Sequence, residues 1–240
     1  TASDNTALGS YSMVKNTTGT ANLAAGTNAM ACNTTGAYNV AVGANAGLLH
    51  TTGGNNVFVG DSAGRQNTTG CKNTGLGSGA LYGAGGSGTV MQDNAAVGYR
   101  SLYTNTTGNS NAAFGNNTLY ANTTGCINTA IGKDALGLTT TGQQNTALGA
   151  AAGYNVTTGD NNLLVGRNAG RSQSPATITT GDNNIVLGNN THTNAYIKID
   201  WTVTSDLRDK TNIEPIPHGL NFINQITPIK YNFKKSRENE

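Results

Sequence analysis

The sequence predicts an all-β fold: a parallel β-solenoid (β-roll) of 17-residue coils, expected to be homotrimeric and followed by a small α+β C-terminal segment. Three observations predict it: a fixed repeat period, strand-like alternation inside each unit, and glycine at a constant place in every unit. An Asn-x-x-x-Gly anchor starts at Asn5, Asn22, Asn39, Asn56, Asn73, Asn94, Asn111, Asn128, Asn145, Asn162 and Asn184. The steps between anchors are 17 residues, except one of 21 and one of 22. Self-similarity at so short a period marks a stacked array in which each unit leans on its neighbours.

Each element follows from the unit. The position three after the anchor Asn is apolar in every copy, from Leu8 through Val97 and Ile131 to Leu187, and the residue before it is usually Ala. Alternation puts the residues on either side of that Ala on one face and the Ala itself on the other. A second short segment holds a small residue three after the Gly, such as Ala29, Ala80 or Ala152, usually followed by Leu, Met or Gly. This reads as a second strand. Thr-Thr-Gly precedes most anchors and reads as a turn, with Gly and Asn supplying backbone shapes that a Cβ resists. Parallel strands stack at about 4.8 Å, so ten steps make a rod of roughly 50 Å. Stacked anchor asparagines are expected to form a hydrogen-bonded ladder along it.

Two intervals are longer than the rest, one stretched by GAGGSGTVMQD and the other by SQSPAT. They read as loops bulging from a regular stack. Receptor contacts are expected there, around Gly83–Asp93 and Arg171–Thr179.

Composition narrows the function. With 33 Gly, 6% aromatic and 36% hydrophobic residues, the chain does not describe one conventional core, and strict periodicity argues against disorder. A coil this thin encloses one or two side chains. The alanine side is therefore expected to pack against other copies of the chain, three coils sharing a centre. Net charge is +2, with no basic patch interleaved with aromatics, so no nucleic-acid partner is expected. No apolar run approaches the ~18 residues of a membrane span, and no membrane insertion is expected. The chain begins TASDN and is expected to be a fragment or a processed product. Cys32, Cys71 and Cys126 form no metal motif and read as small apolar fillers. The Asn-Thr-Thr triplets match glycosylation sequons, a match that follows from the turn repeat. No metal or cofactor is indicated.

The organisation expected is a shaft over 1–194, a connecting strand over 195–204 and a distinct segment over 205–240. In that last segment Leu220, Ile223 and Ile226 suggest a short amphipathic helix after Pro217, and ITPIKYNFK reads as a strand. Ser205-Asp206-x-Arg208-x-Lys210, then Asn212-Ile213 and GLNFINQITPIKYNF, closely resembles the start of the C-terminal intramolecular chaperone of phage tail spikes, tail fibres and endosialidases. The resemblance implies a segment that helps three chains assemble and then cuts itself away at the Ser205–Asp206 bond. It implies Ser205 as nucleophile and Lys210 as its base. A serine hydroxyl needs a neighbouring base to become reactive, and a lysine of depressed pKa supplies one. The Asn-x-Ala-x-Gly beat is similar to the head repeats of YadA-like trimeric adhesins, which implies a trimeric β-roll.

These resemblances imply a tail fibre or tail spike of a virion: a homotrimeric shaft for host attachment, meeting other tail proteins and a host surface receptor or glycan outside the cell. The alternative they imply is a trimeric adhesin head on the bacterial surface. A hydrolase acting on an external glycan is not expected, because glycosidases use two carboxylates at a set separation. Residues 1–200 carry seven aspartates and no glutamate, and Asp160 and Asp182 share a TTGDNN turn context.

Overall fold

The computed structural model describes residues 1–83, 89–172 and 175–196. Eleven three-residue strands form one parallel sheet in strict sequence order. They are β1 (Thr6–Leu8), β2 (Leu23–Ala25), β3 (Val40–Val42), β4 (Val57–Val59), β5 (Thr74–Leu76), β6 (Ala95–Val97), β7 (Ala112–Phe114), β8 (Thr129–Ile131), β9 (Thr146–Leu148), β10 (Leu163–Val165) and β11 (Ile185–Leu187). Register follows the repeat: Thr129 pairs with Thr146 and Ile131 with Leu148. Both long intervals preserve it, Thr74 pairing with Ala95 and Leu163 with Ile185. Both insertions leave the stack intact, and by residue 89 the first has rejoined it, Thr89 O accepting the Thr68 N–H at 3.0 Å and Met91 fully buried; the expected parallel solenoid is the fold.

Its interior corrects the expected orientation of the sheet. In ten of the eleven strands the middle residue is buried, while its two flanking residues are exposed or half-exposed. Ala24, Ala41, Ala96, Ala113, Ala130 and Ala147 all lie inside the coil at 0% exposure. They are the coil's own core, so the alanine side offers no surface to another copy. The outward side carries the larger apolar residues. The cause is steric: a coil closed in 17 residues has room inside for small side chains, and larger ones must point out.

The second segment is also different from the strand expected there. It is a run of turns in which two residues per coil are left-handed: Arg100 and Leu102 (φ 52° each), Asn117 (φ 52°) and Leu119 (φ 50°), Asp134 (φ 58°) and Leu136 (φ 49°). The left-handed amides still bond between coils, Leu119 N–H donating to Ala135 O at 3.0 Å. The small residues of this segment face the strand alanines across the core; Ala29, Ala46, Ala63, Ala80, Ala135 and Ala152 are fully buried. Volume is exchanged across that contact. Phe58 replaces a strand alanine, and its ring fills the space a Cβ on Gly64 would enter at 2.4 Å. Leu164 does the same opposite Gly153 and Gly170, at 2.6 and 2.7 Å.

Two polar columns close the coil. Each anchor Asn from Asn22 to Asn184 donates Nδ2–H to Oδ1 of the preceding anchor at 2.8–3.2 Å. The same Oδ1 accepts the backbone N–H of that donor residue, for example Asn128 to Asn111 at 3.0 Å. The second amide proton goes in most coils to a turn glycine carbonyl, as from Asn128 to Gly142 at 2.9 Å, and at Asn73 and Asn184 to the carbonyls of Met91 and Asp182. The expected ladder is present, with donors and acceptors matched, as buried amides require. A second column, which the sequence reading did not anticipate, consists of the sequon-like asparagines. Asn33 donates to Asn16 Oδ1 and Asn122 to Asn105 Oδ1, both at 2.9 Å. These four are half-buried or fully buried, and Asn33, Asn67, Asn105 and Asn122 are at 0% exposure, out of reach of any glycan transfer.

Thr-Thr-Gly has a geometric reason. The N–H groups of Thr106, Thr107 and Gly108 converge on Thr123 O of the next coil at 2.9, 3.2 and 3.3 Å. The Thr106 hydroxyl joins them at 2.9 Å. The glycine is needed because a Cβ on Gly125 would stand 2.4 Å from Gly142 O. A second glycine column carries the strand corner: Gly132 has φ 129°, and its Cβ would lie 2.6 Å from the Gly149 carbonyl.

The chain divides at Ala195, where the solenoid unit Thr1–Ala195 ends. The expected connecting strand beyond Tyr196, the helix after Pro217 and the strand ITPIKYNFK lie outside the described residues.

Candidate functional site

Two surfaces of the solenoid carry more than the repeat requires. The first is the outward flank of the sheet. Leu8, Val42, Val59, Phe114, Ile131, Leu148 and Leu187 occupy one register position and are 36–70% exposed. Leu76, Val97 and Val165 fill intermediate rungs and are half-buried. Leu23, Leu163 and Ile185 add a second exposed column at the other end of the strands. Rungs about 4.8 Å apart make this an apolar strip roughly 50 Å long. Exposed apolar residues scattered singly need no explanation, whereas a contiguous strip marks an interaction surface. Five strand residues of this flank are β-branched valine or isoleucine at the exposed end alone (Val42, Val59, Val97, Ile131, Val165), which gives the strip a stiff, flat relief.

The second surface lies across the core, on the turn segment. Nine residues after successive anchors stand Arg65, Tyr82, Tyr103, Tyr120, Gly137, Tyr154 and Arg171. The repeat stacks them. Tyr82 and Tyr103 rings lie 4.8 Å apart at 16°, and Tyr103 and Tyr120 lie 5.4 Å apart at 4°. The Arg65 guanidinium caps one end, 5.6 Å from the Tyr82 ring centre and donating to its hydroxyl at 2.9 Å. Arg171 caps the other, 4.7 Å over Tyr154. Gly137 interrupts the column, and a cleft of about 260 Å³ opens there, lined by Arg100, Asn117, Tyr120, Asp134, Gly137, Leu138 and Tyr154. A neighbouring cleft of about 150 Å³ shares Arg100 and is lined also by Asp61, Ser62, Ser78, Tyr82, Tyr99 and Tyr103.

The cysteines belong to neither surface. Cys32, Cys71 and Cys126 are unpaired and half-buried. Cys71 Sγ accepts the Gly54 N–H at 3.3 Å and Cys126 Sγ the Asn109 N–H at 3.5 Å. Asp160 plays the same part for Gln143 N–H at 2.7 Å, and Asp182 for Asp160 N–H at 2.7 Å. Cys71 and Cys126 are therefore turn acceptors, a correction to their reading as small apolar fillers, while the Cys32 thiol lies 4.0 Å from Lys15 Nζ; the TTGDNN aspartates hold turns as expected. Among the described residues no three His, Cys, Asp or Glu side chains gather where they could hold a metal ion, and no helix is long and apolar enough to cross a membrane.

His50 stands in the second asparagine column, fully buried. Its Nδ1 lies 3.1 Å from Asn67 O and its Nε2 2.8 Å from Gly53 O, so whichever nitrogen carries the proton donates to a carbonyl. Burial pushes its pKa below the ordinary histidine value, outweighing the two carbonyls, which pull the other way. It is a core residue, remote in character from a catalytic base.

Ser205, Asp206 and Lys210, the residues expected to carry chemistry, lie outside the described residues, as do parts of both insertions at 84–88 and 173–174. The tail is matched through its sequence. Residues 205–240 match the family described as the chaperone of endosialidase. The match begins at the serine of the expected scissile bond, with nine residues between it and the end of the solenoid unit at Ala195. It covers the tail alone. No curated protein and no solved structure matches the chain. The segment resembling an intramolecular chaperone is thus supported, and the β-roll that precedes it stands on its own geometry.

Proposed function

We propose that this chain is the shaft of a phage tail fibre or tail spike, a homotrimer that attaches the virion to its host outside the cell. Its C-terminal segment is the beginning of an intramolecular chaperone that brings the three chains together. One observation carries the reading: one chain joins a segment matching the chaperone of endosialidase to a solenoid whose outward sheet flank is an apolar strip about ten rungs long. The chaperone supplies the means of bringing chains together, and the strip supplies the surface they would bury. Apolar burial is worth about 25 cal/mol per Å². A strip roughly 50 Å long, shared among three chains, turns a slender coil into a stable rod.

In this reading the chaperone segment cleaves itself after assembly. Lys210 draws on the proton of the Ser205 hydroxyl, the Ser205–Asp206 peptide bond breaks, Asp206 leaves as an amine that takes up a proton, and water supplies the hydroxyl of the new Ser205 carboxyl. Burial of Lys210 on correct folding would lower its pKa into the range of a base and so make cleavage conditional on the fold.

Size-exclusion chromatography with light scattering of Ser205→Ala, which stays whole in this reading, tests the assembly: the expected mass is three times the 24.5 kDa of the chain, and 24.5 kDa contradicts it. Intact-mass spectrometry of the freshly expressed chain and of Ser205→Ala tests the chemistry. A break at Ser205–Asp206 that the variant lacks is expected; identical processing in both contradicts it.

A further inference from the structure

We propose that the groove along the tyrosine column is a glycan-binding site of the shaft, taking a saccharide chain laid parallel to the solenoid axis. It rests on the attachment role above and names the surface and the ligand class that would serve it.

The groove has two walls that follow from the repeat. One is aromatic: Tyr103, Tyr120 and Tyr154, with Gly137 at the rung between the last two. The other is polar and comes from the left-handed turn position of three successive coils, Arg100, Asn117 and Asp134. Guanidinium, carboxamide and carboxylate therefore stand in a row about 4.8 Å apart, facing a row of rings. Wherever the aromatic column is complete the rings satisfy one another, as in the pairs at 4.8 and 5.4 Å. At Gly137 the column has no ring of its own: the Tyr154 ring packs over this glycine, 2.9 Å from where a Cβ would stand, and a cleft of about 260 Å³ opens beside it. The left-handed backbone at Arg100, with φ 52°, recurs at this turn position in the neighbouring coils, at Ser62, Asn117, Asp134 and Ala151, so the repeat itself places a long cationic side chain on the rim of this groove.

Arg100 is the second observation. Its guanidinium lies 5.0 Å from the Tyr99 ring centre and 5.3 Å from that of Tyr103. Among the described residues the only ion pair is Lys133–Asp134 at 3.8 Å, so Arg100 has no carboxylate partner. The rings fix the guanidinium in place while its N–H donors stay free, a preorganised arrangement for accepting oxygen atoms. It stands between the two clefts and serves both.

The ligand class follows from these groups together. A pyranose ring presents a C–H face that lies well on the negative face of a tyrosine, and an edge of hydroxyls that pairs with Asn, Asp and Arg. Two adjoining clefts sharing one arginine suit consecutive units of a chain. Nucleic acid fits less well. Stacked bases suit tyrosines, but each cleft also holds a carboxylate, Asp134 in one and Asp61 in the other, which repels a phosphate backbone. One carboxylate per cleft also suits binding, where glycosidic hydrolysis uses two. The two insertions leave the chain next to the ends of this column, after Tyr82 and at Arg171, so the groove is the part of the attachment surface between them.

The test uses the full chain, fluorescently labelled, on an array of bacterial surface oligosaccharides and glycosaminoglycans, with a single-stranded oligothymidylate as a further probe. Tyr120→Ala and Arg100→Gln are compared with Tyr11→Ala, an exposed tyrosine away from the groove. Light scattering of each variant, showing the wild-type mass, separates failure of this site from failure of the assembly. Retention of one or more glycans is expected, weakened about tenfold or more by each groove variant and unchanged by Tyr11→Ala. Should Tyr120→Ala not fold, Tyr154→Ala takes its place. No retained glycan, retention indifferent to the groove variants, or oligothymidylate binding lost with Arg100→Gln would each overturn the proposal.

Discussion

His50→Asn is expected to stabilise the protein and to remove a pH dependence, and the structure says by how much. His50 occupies a rung of the second asparagine column, between Asn33 and Asn67. Because no amide stands there, the buried Asn33 Oδ1 has no hydrogen-bond donor. Asn33 itself shows the geometry an asparagine takes in this column, Nδ2 donating to the preceding Oδ1 at 2.9 Å and to a turn glycine carbonyl at 3.1 Å. The introduced amide would donate in the same way to Asn33 Oδ1 and Gly53 O. Relieving a buried unmet acceptor is worth about 1–3 kcal/mol. Against this stand the edge contact of the imidazole with Phe58, 6.2 Å between centres, and the smaller volume. A void of roughly 30 Å³ costs about 0.7 kcal/mol at about 24 cal/mol per Å³. The net is a gain of about 1 kcal/mol, or about 2–4 °C in Tm for a unit of this size. The pH term has a definite sign. Burial holds the folded His50 pKa below the value of about 6.5 expected for the unfolded chain. Below pH ~6.5 the unfolded chain binds the extra proton first, so wild-type stability is full above that pH and falls as pH drops through the folded pKa. Thermal melts by circular dichroism at pH 7.5 and pH 5, at one chain concentration, read both effects. A lower Tm for the variant at pH 7.5, or an equal loss between the two pH values in both proteins, would refute the reasoning.

Three further substitutions probe the fold and the assembly. Ile127 is β-branched, 56% exposed and left-handed at φ 59°; Ile127→Asn removes strain and is expected to stabilise by about 1 kcal/mol, read as a higher Tm. Gly132→Ala forces a Cβ to 2.6 Å from the Gly149 carbonyl at φ 129°; a loss of about 3 kcal/mol or more is expected in denaturant titration. Ile131→Asp puts a charge in the apolar strip, and an uncompensated buried charge costs about 3–5 kcal/mol, so light scattering is expected to show dissociation towards single chains.

The sequence made the coil legible because every coil must meet the same constraints. Period, register, the anchor ladder and the tolerance of insertions all follow from Asn-x-x-x-Gly. Alternation also sorted the strand residues into two faces, but it could not say which face is inside. Small residues suit a close interface between copies as well as the interior of a thin coil. The choice depends on the diameter of the closed turn, which Ala41 and Ala130 settle by being fully buried. The second segment misled for a different reason. Met30, Leu81, Leu102 and Leu136 look like strand residues, yet all have positive φ. The signal was present in Gly47, Gly64 and Gly153, which share their register position and would be odd partners for Leu in a strand. The tyrosine column was likewise written at a fixed offset from the anchors. The 21-residue step between Tyr82 and Tyr103 hides it from simple spacing, and its missing rung at Gly137 has meaning only once the neighbours are seen to stack. For the tail, residue pattern and family match agree on 205–240, while the roles of Ser205, Asp206 and Lys210 rest on the resemblance.

Protection of the apolar strip tests the central claim most directly. With Cys32, Cys71 and Cys126 replaced by serine, Leu148→Cys and Leu138→Cys place single thiols at positions of similar exposure in the isolated coil, 47% and 41%, on opposite sides of the core. If three chains bury the sheet flank, maleimide labels the thiol at position 148 far more slowly than that at 138 until the assembly is denatured. Equal labelling rates in the native protein would mean that the strip faces water, and the trimeric shaft would be wrong.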